Sequence, residues 1–110
     1  MKLAVIGSRN LMNVELKKYI SEEVEEIVSG GAVGVDRCAA EYAKRTGLRL
    51  TEFLPRYEIY GRSAPIIRNR EIVNYADKIL VFWNGSSKGT LSVIKYAEKI
   101  RKPCEVIFCK

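Results

Sequence analysis

The 110 residues contain no histidine. That removes the usual general base near neutral pH, every Ser-His or Cys-His nucleophile pair, and the commonest zinc ligand. Cysteine is scarce as well: Cys38, Cys104 and Cys109 form no CxxC pair and are odd in number. Without histidine to complete a tetrahedral set no metal is expected, and no disulfide framework either. The three thiols read as small apolar core residues in a reducing compartment. Long apolar runs are missing too. Leu3 to Ile6 follows Lys2 directly and stops at Gly7, far short of a signal peptide or a membrane span. These shortages predict a cytoplasmic protein with no membrane partner.

What is present suits one folded domain over residues 1–110. The chain is 47% hydrophobic and 29% charged, which separates it from disordered tails. A chain of this length buries roughly two thirds of its unfolded surface, enough for one core. No repeat, low-complexity linker or second domain interrupts it. Lys and Arg number 19 against 13 Asp and Glu, a net charge of +6.

The apolar pattern alternates between strand and helix. Leu3-Ala4-Val5-Ile6 reads as a strand buried on both faces. Met12, Leu16, Ile20 and Val24 recur every four residues and predict a first helix, the acidic run Glu22, Glu23, Glu25, Glu26 covering its end and the turn into the next strand. Ile27-Val28 leads into Ser29-Gly30-Gly31 as a second strand and turn. Val35, Cys38, Ala39, Tyr42 and Ala43 make one face of a second helix, closed by Gly47. An outer strand is expected over 48–54, then a long connection from Pro55 to Ser63. Pro65 suits the first turn of a third helix running to about Ala76. Lys78 to Trp83 is the second buried strand, Leu91, Ile94, Ala97 and Ile100 mark a fourth helix, and Glu105 to Phe108 is the last strand. Strictly alternating strands and helices imply a parallel sheet covered on both faces. The expected fold is therefore a Rossmann-like three-layer α/β sandwich, its five-stranded parallel sheet in order 3-2-1-4-5. The first and fourth strands then meet at the topological switch point, where such folds hold ligands.

Six of the eight glycines fall just past strands: Gly7, then Gly30, Gly31 and Gly34, then Gly85 and Gly89. The three turns share the carboxyl edge of the sheet, and each precedes a helix whose first N–H groups lack intrahelical partners. Glycine lets a ligand approach that backbone, and the helix dipole favours an anion there. Ser8, Ser29, Ser86, Ser87 and Thr90 supply hydroxyls, with Arg9 and Lys88 beside them. Any one such turn is adequately explained as an ordinary turn or cap. Three converging on one edge describe a phosphate cradle. It matches neither GxGxxG nor the GK[ST] ending of a P-loop.

Val5-Ile6-Gly7-Ser8-Arg9, Val28-Ser29-Gly30-Gly31-Ala32-Val33-Gly34-Val35-Asp36, Ile67-Arg68-Asn69-Arg70 and Phe82-Trp83-Asn84-Gly85-Ser86-Ser87-Lys88-Gly89-Thr90 together resemble the SLOG superfamily. Within it they are most similar to the YspA/YpsA-related branch. DprA and the LOG-type, cytokinin-activating phosphoribohydrolases are more distant relatives. The resemblance covers nearly the whole chain and implies a Rossmann-like fold binding a nucleotide or nucleotide-derived ligand. The site it implies comprises Gly7, Ser8, Arg9, Gly30, Gly31, Asp36, Arg68, Asn69, Gly85, Ser87, Gly89 and Thr90. The phosphoribohydrolases carry a glutamate in a GTxxE pattern; here Gly89-Thr90-Leu91-Ser92-Val93 puts valine there. Asp36 is then the only acid in the three turns, equally suited to capping a helix. No residue is assigned a catalytic role, and ligand sensing or carrying is favoured over catalysis.

Other residues have weaker claims. Arg68 and Arg70 point in different directions from one helix, so only one can face the ligand edge, and the family pattern selects Arg68. Arg56, Tyr57, Tyr60 and Arg62 lie in a connection that would cross the carboxyl edge and could cover a bound base. Local packing within a surface loop is the better explanation for any one of them. Trp83 ends a central strand, where core packing is expected. Lys95, Lys99 and Lys102 read as a solvated helix face. Two alternatives remain beside small-ligand binding: nucleoside-monophosphate hydrolysis to base and ribose phosphate, and DprA-like binding of single-stranded DNA, which the basic charge favours. Two edge strands also allow a homodimer.

Overall fold

The two stretches that are apolar at nearly every position are β1 (Lys2–Gly7) and β4 (Lys78–Trp83), and in the computed structural model they pair at the centre of the sheet. Residues 1–8, 11, 14–31 and 34–109 are described. A strand covered on both faces must be apolar on both. Leu3, Val5, Leu80 and Phe82 face one core cluster, while Ala4, Ile6, Ile79 and Val81 face the other. β2 (Glu26–Ser29), β3 (Arg49–Glu52) and β5 (Cys104–Phe108) complete an all-parallel sheet in the order β3-β2-β1-β4-β5. This is the expected architecture.

The first core cluster is roofed by α1 (Val35–Thr46) through Val35, Ala39 and Ala43. The second is roofed by α3 (Ala64–Tyr75) and α4 (Lys88–Lys99) through Ile72, Val73, Val93, Ile94 and Ala97. The helix signals sit where they were read. Gly47 closes α1 at φ 76°, its N–H on the Ala43 carbonyl, and Pro65 lies in the first turn of α3. A single turn, α2 (Tyr57–Tyr60), and a 3-10 turn over Gly61–Ser63 fill the connection before α3. Among the described residues no helix is long and apolar enough to cross a membrane.

Among the described residues between β1 and β2 the predicted helix is absent: they form one 3-10 turn, Lys17–Tyr19, a reverse turn closed by Val24 N–H to Ser21 O, and a hydrogen bond from Leu11 N–H to Ser8 O. The four-residue spacing marked side chains that are buried and not the path of the backbone between them. Met12 lies outside the described residues. Leu11, Leu16 and Val24 are buried all the same, and Tyr19 meets Phe82 edge-on with ring centroids 5.4 Å apart.

The acidic run was also misplaced at its end. Glu26 opens β2 and is only 3% exposed. Its carboxylate accepts from Tyr75 Oη at 2.6 Å and Thr51 Oγ1 at 2.9 Å, and pairs with Arg49 at 3.3 Å. Burial raises its pKa, but these three partners outweigh burial and hold it below the ordinary carboxylate value. The same contact pushes the Tyr75 hydroxyl up. The cysteines are half-buried free thiols packed against the two clusters rather than inside them.

Candidate functional site

The carboxyl ends of β1 and β4 are tied together by their turns. Ser8 N–H donates to Phe82 O at 3.1 Å, and Ser8 Oγ accepts from Asn84 N–H at 3.4 Å. Ser8 is buried and its hydroxyl proton is left to donate. After β4, Asn84 Oδ1 accepts from the N–H groups of Ser86 and Ser87, both at 2.9 Å, an Asx turn that aims the chain into α4. Ser87 caps α4 by accepting from Thr90 N–H, and its hydroxyl lies 3.0 Å from that of Thr90. Trp83 is half-buried, and its indole N–H holds the Ser87 carbonyl at 3.1 Å. The turn is thus built before any ligand arrives.

On the opposite wall, Arg68 of α3 donates through Nη1 to the Gly30 carbonyl at 2.9 Å and through Nε to Asn69 Oδ1 at 2.7 Å. A β-carbon on Gly30 would stand 2.5 Å from Arg68 Nη1 and 3.0 Å from Asp36 Oδ2. Only glycine lets that guanidinium and that carboxylate converge over the turn. Asp36 is buried in the first turn of α1, whose N-cap is Gly34. At Gly7 the Val35 side chain occupies the place of a β-carbon, so α1 packs directly on the end of β1.

These walls enclose a cleft of about 440 Å³ at the switch point, within the size range of small-molecule sites. Gly7, Ser8, Gly30, Asp36, Arg68, Asn69, Ser87, Gly89 and Thr90 all line it. Gly31 and Gly85 do not. Gly31, at φ 68°, is backed by Leu54, and Gly85, at φ 87°, lies against the Phe108 ring; both serve the turns themselves. Arg9 falls outside the described residues. The sequence reading missed Ile6, Pro65 and Ile72, an apolar wall, and Asn84. The Asn-Gly-Ser-Ser run was a signal for Asn84; the apolar residues carry none that separates them from core.

Other expectations resolve differently. Arg56, Tyr57, Tyr60 and Arg62 are exposed and none lines the cleft. Lys88 lies on a neighbouring groove rather than in the cleft, leaving Arg68 as the cation among the described lining residues. Arg70 points away, its guanidinium 5.3 Å above the Tyr96 ring. Val93, where the phosphoribohydrolase pattern has glutamate, is 2% exposed in the second core cluster. The pKa shifts of Glu26, Tyr75 and Asp77 belong to side chains near the amino ends of the strands, where Asp77 is lowered by accepting from Lys2 N–H.

Chemically, the cleft offers two twelve-residue helix starts, three hydroxyls and one guanidinium facing an apolar wall. The first N–H groups of each helix have no intrahelical acceptor, and the dipoles favour an anion. No family model, curated protein or solved structure matches this chain.

Proposed function

We propose that the cleft binds a nucleotide or nucleotide-derived ligand by its phosphate, in a sensing or carrying role. Gly89 carries the proposal. It stands in the first turn of α4 on the cleft, its φ is not positive, and a β-carbon there would meet nothing within 4 Å. Neither conformation nor packing calls for glycine, which costs a helix about 0.5–1 kcal/mol relative to alanine. Close approach of a ligand to the backbone accounts for it, as helix starts hold phosphates. Arg68 supplies charge, and Ile6, Pro65 and Ile72 offer a surface for a base or sugar. The SLOG resemblance supports the same ligand class. A sensing or carrying role is favoured over hydrolysis because Asp36 is the one acid among the described lining residues and Val93 belongs to the core. With it go a cytoplasmic setting, in which the three thiols stay reduced, and a homodimer through an edge strand.

Calorimetric titration with nucleoside mono-, di- and triphosphates and dinucleotides tests this. At least one is expected to bind. Gly89→Val is expected to fold normally and abolish binding, and Arg68→Ala to weaken it about tenfold, the value of one charge-assisted bond. Wild-type affinity in folded Gly89→Val would remove the site assignment.

A further inference from the structure

We propose that the protein has a second ligand site, on the flank of α1, for a small amphipathic anion: an apolar ring system carrying one carboxylate. The site shares no lining residue with the cleft and stands whatever the cleft binds. It begins with the sequence of α1. Val35, Ala39 and Ala43 make the stripe that meets the core. Cys38, Glu41, Tyr42 and Arg45 make a second stripe, about 100° further round the helix. Residues 14–18 run alongside that second stripe. Between them lies a groove of about 700 Å³, larger than the cleft.

Its lining divides into floor and rim. Val14, Leu16, Cys38 and Tyr42 are buried or half-buried and pack with the first core cluster, so the floor is apolar. Glu15, Lys17, Lys18, Glu41 and Arg45 are exposed and form the rim. Three cations stand there against two carboxylates, and Arg37 already pairs with Glu41 at 3.6 Å. Among the described residues, Lys17, Lys18 and Arg45 form no ion pair. Arg45 reaches over the floor, its guanidinium 5.7 Å from the centre of the Tyr42 ring. A planar guanidinium placed there suits a carboxylate through two parallel N–H donors. The volume is that of a small-molecule site, whereas a stable protein interface takes about 800 Å² from each partner. The apolar floor gains by exchanging water for an apolar body. The excess of positive charge is small, and Glu15 and Glu41 repel any further negative group, so the fitting ligand is a monoanion rather than a polyanion.

The test titrates 2-naphthoate and its neutral isostere 2-naphthamide into the full chain by calorimetry. 2-Naphthoate is expected to bind one to one, and about tenfold tighter than 2-naphthamide, the value of one charge-assisted hydrogen bond. Arg45→Gln, on the exposed rim, is expected to melt as the wild type does and to erase that difference. Cys38 on the floor reports the location. Its alkylation by iodoacetamide, followed by peptide mass spectrometry, is expected to slow about tenfold with 2-naphthoate at about ten times its dissociation constant. Alkylation of Cys104 and Cys109, away from the groove, should not change. Equal affinity for the two probes, or the full difference retained in folded Arg45→Gln, overturns the choice of an anion. No saturable binding of 2-naphthoate, or binding that leaves Cys38 as reactive as before, overturns the site. Neither result touches the nucleotide reading of the cleft, which Gly89→Val tests separately.

Discussion

Three glycines on the cleft have three different reasons, and substitution separates them. Gly7→Ala drives a methyl into the Val35 side chain and is expected to destabilise by about 1–3 kcal/mol, as overpacking does. Gly89→Ala meets open space and is expected to stabilise the unliganded protein by about 0.5–1 kcal/mol. Urea midpoints of the two variants should move in opposite directions. Gly30 keeps room for Arg68 and Asp36, so even alanine there must move a guanidinium. Glu26 is a buried charge outside the site whose partners depend on it. Removing it leaves Tyr75 and Thr51 without their acceptor, and Glu26→Ala is expected to cost about 2–4 kcal/mol. The pH dependence has a definite sign. Because the folded pKa of Glu26 is lowered, its contribution is present above the ordinary carboxylate pKa and lost as pH falls through the lower folded value. Tyr75 is raised, so its contribution is present below the ordinary phenol pKa and lost as pH rises through the folded value. Urea midpoints measured against pH should show both limbs in the wild type and a flattened acid limb in Glu26→Gln.

At the scale of elements, α4 is the part on which the site depends. Its start is held by the Ser87 cap, the Asn84 turn and the Trp83 indole, and its underside is core. Ser87→Ala is expected to lower stability by about 1 kcal/mol, read by thermal melting, and to weaken ligand binding because the cradle loosens. Val93→Glu, which restores the acid of the phosphoribohydrolase pattern, is expected to unfold the protein or destabilise it by about 3 kcal/mol or more rather than create activity. Soluble, cooperatively melting Val93→Glu protein would show that α4 can rotate. The element that sequence misread, between β1 and β2, shows what a periodic pattern omits. Leu11, Leu16 and Val24 are as buried as a helix would make them, yet turns deliver them. Apolar spacing reports which side chains seek the core and leaves the backbone path open unless the stripe holds one face.

For the whole molecule, ligand binding and folding are linked. A nucleotide at one hundred times its dissociation constant is expected to add about 2.7 kcal/mol, which raises the melting temperature of a domain this size by at least 10 °C. Wild type should show that shift in a thermal-melt titration, and Gly89→Val should show none. The sheet order and the switch point were legible in sequence because apolar runs of strand length alternate with helical stripes, and right-handed parallel connections leave few arrangements. The cleft was legible as far as glycines mark strand ends. Its apolar wall was not, because Ile6 and Ile72 look like any core residue until α3 is laid beside β1.

The sequence by itself determined the strands, most of the helices, their order and the edge on which the turns converge. Those depend on local periodicity, turn chemistry and chain connectivity, all of which are written along the chain. Only the tertiary structure decided which glycines line the cleft and which serve their own turns, that Glu26 is buried among Tyr75, Thr51 and Arg49, and that Lys88 joins Arg70, Lys95 and Lys99 on a second surface. The glycines and Glu26 are settled by partners tens of residues away, and Arg70 joins the lysines of α4 only because α3 packs beside it; a side chain's environment is set by whatever the fold packs against it.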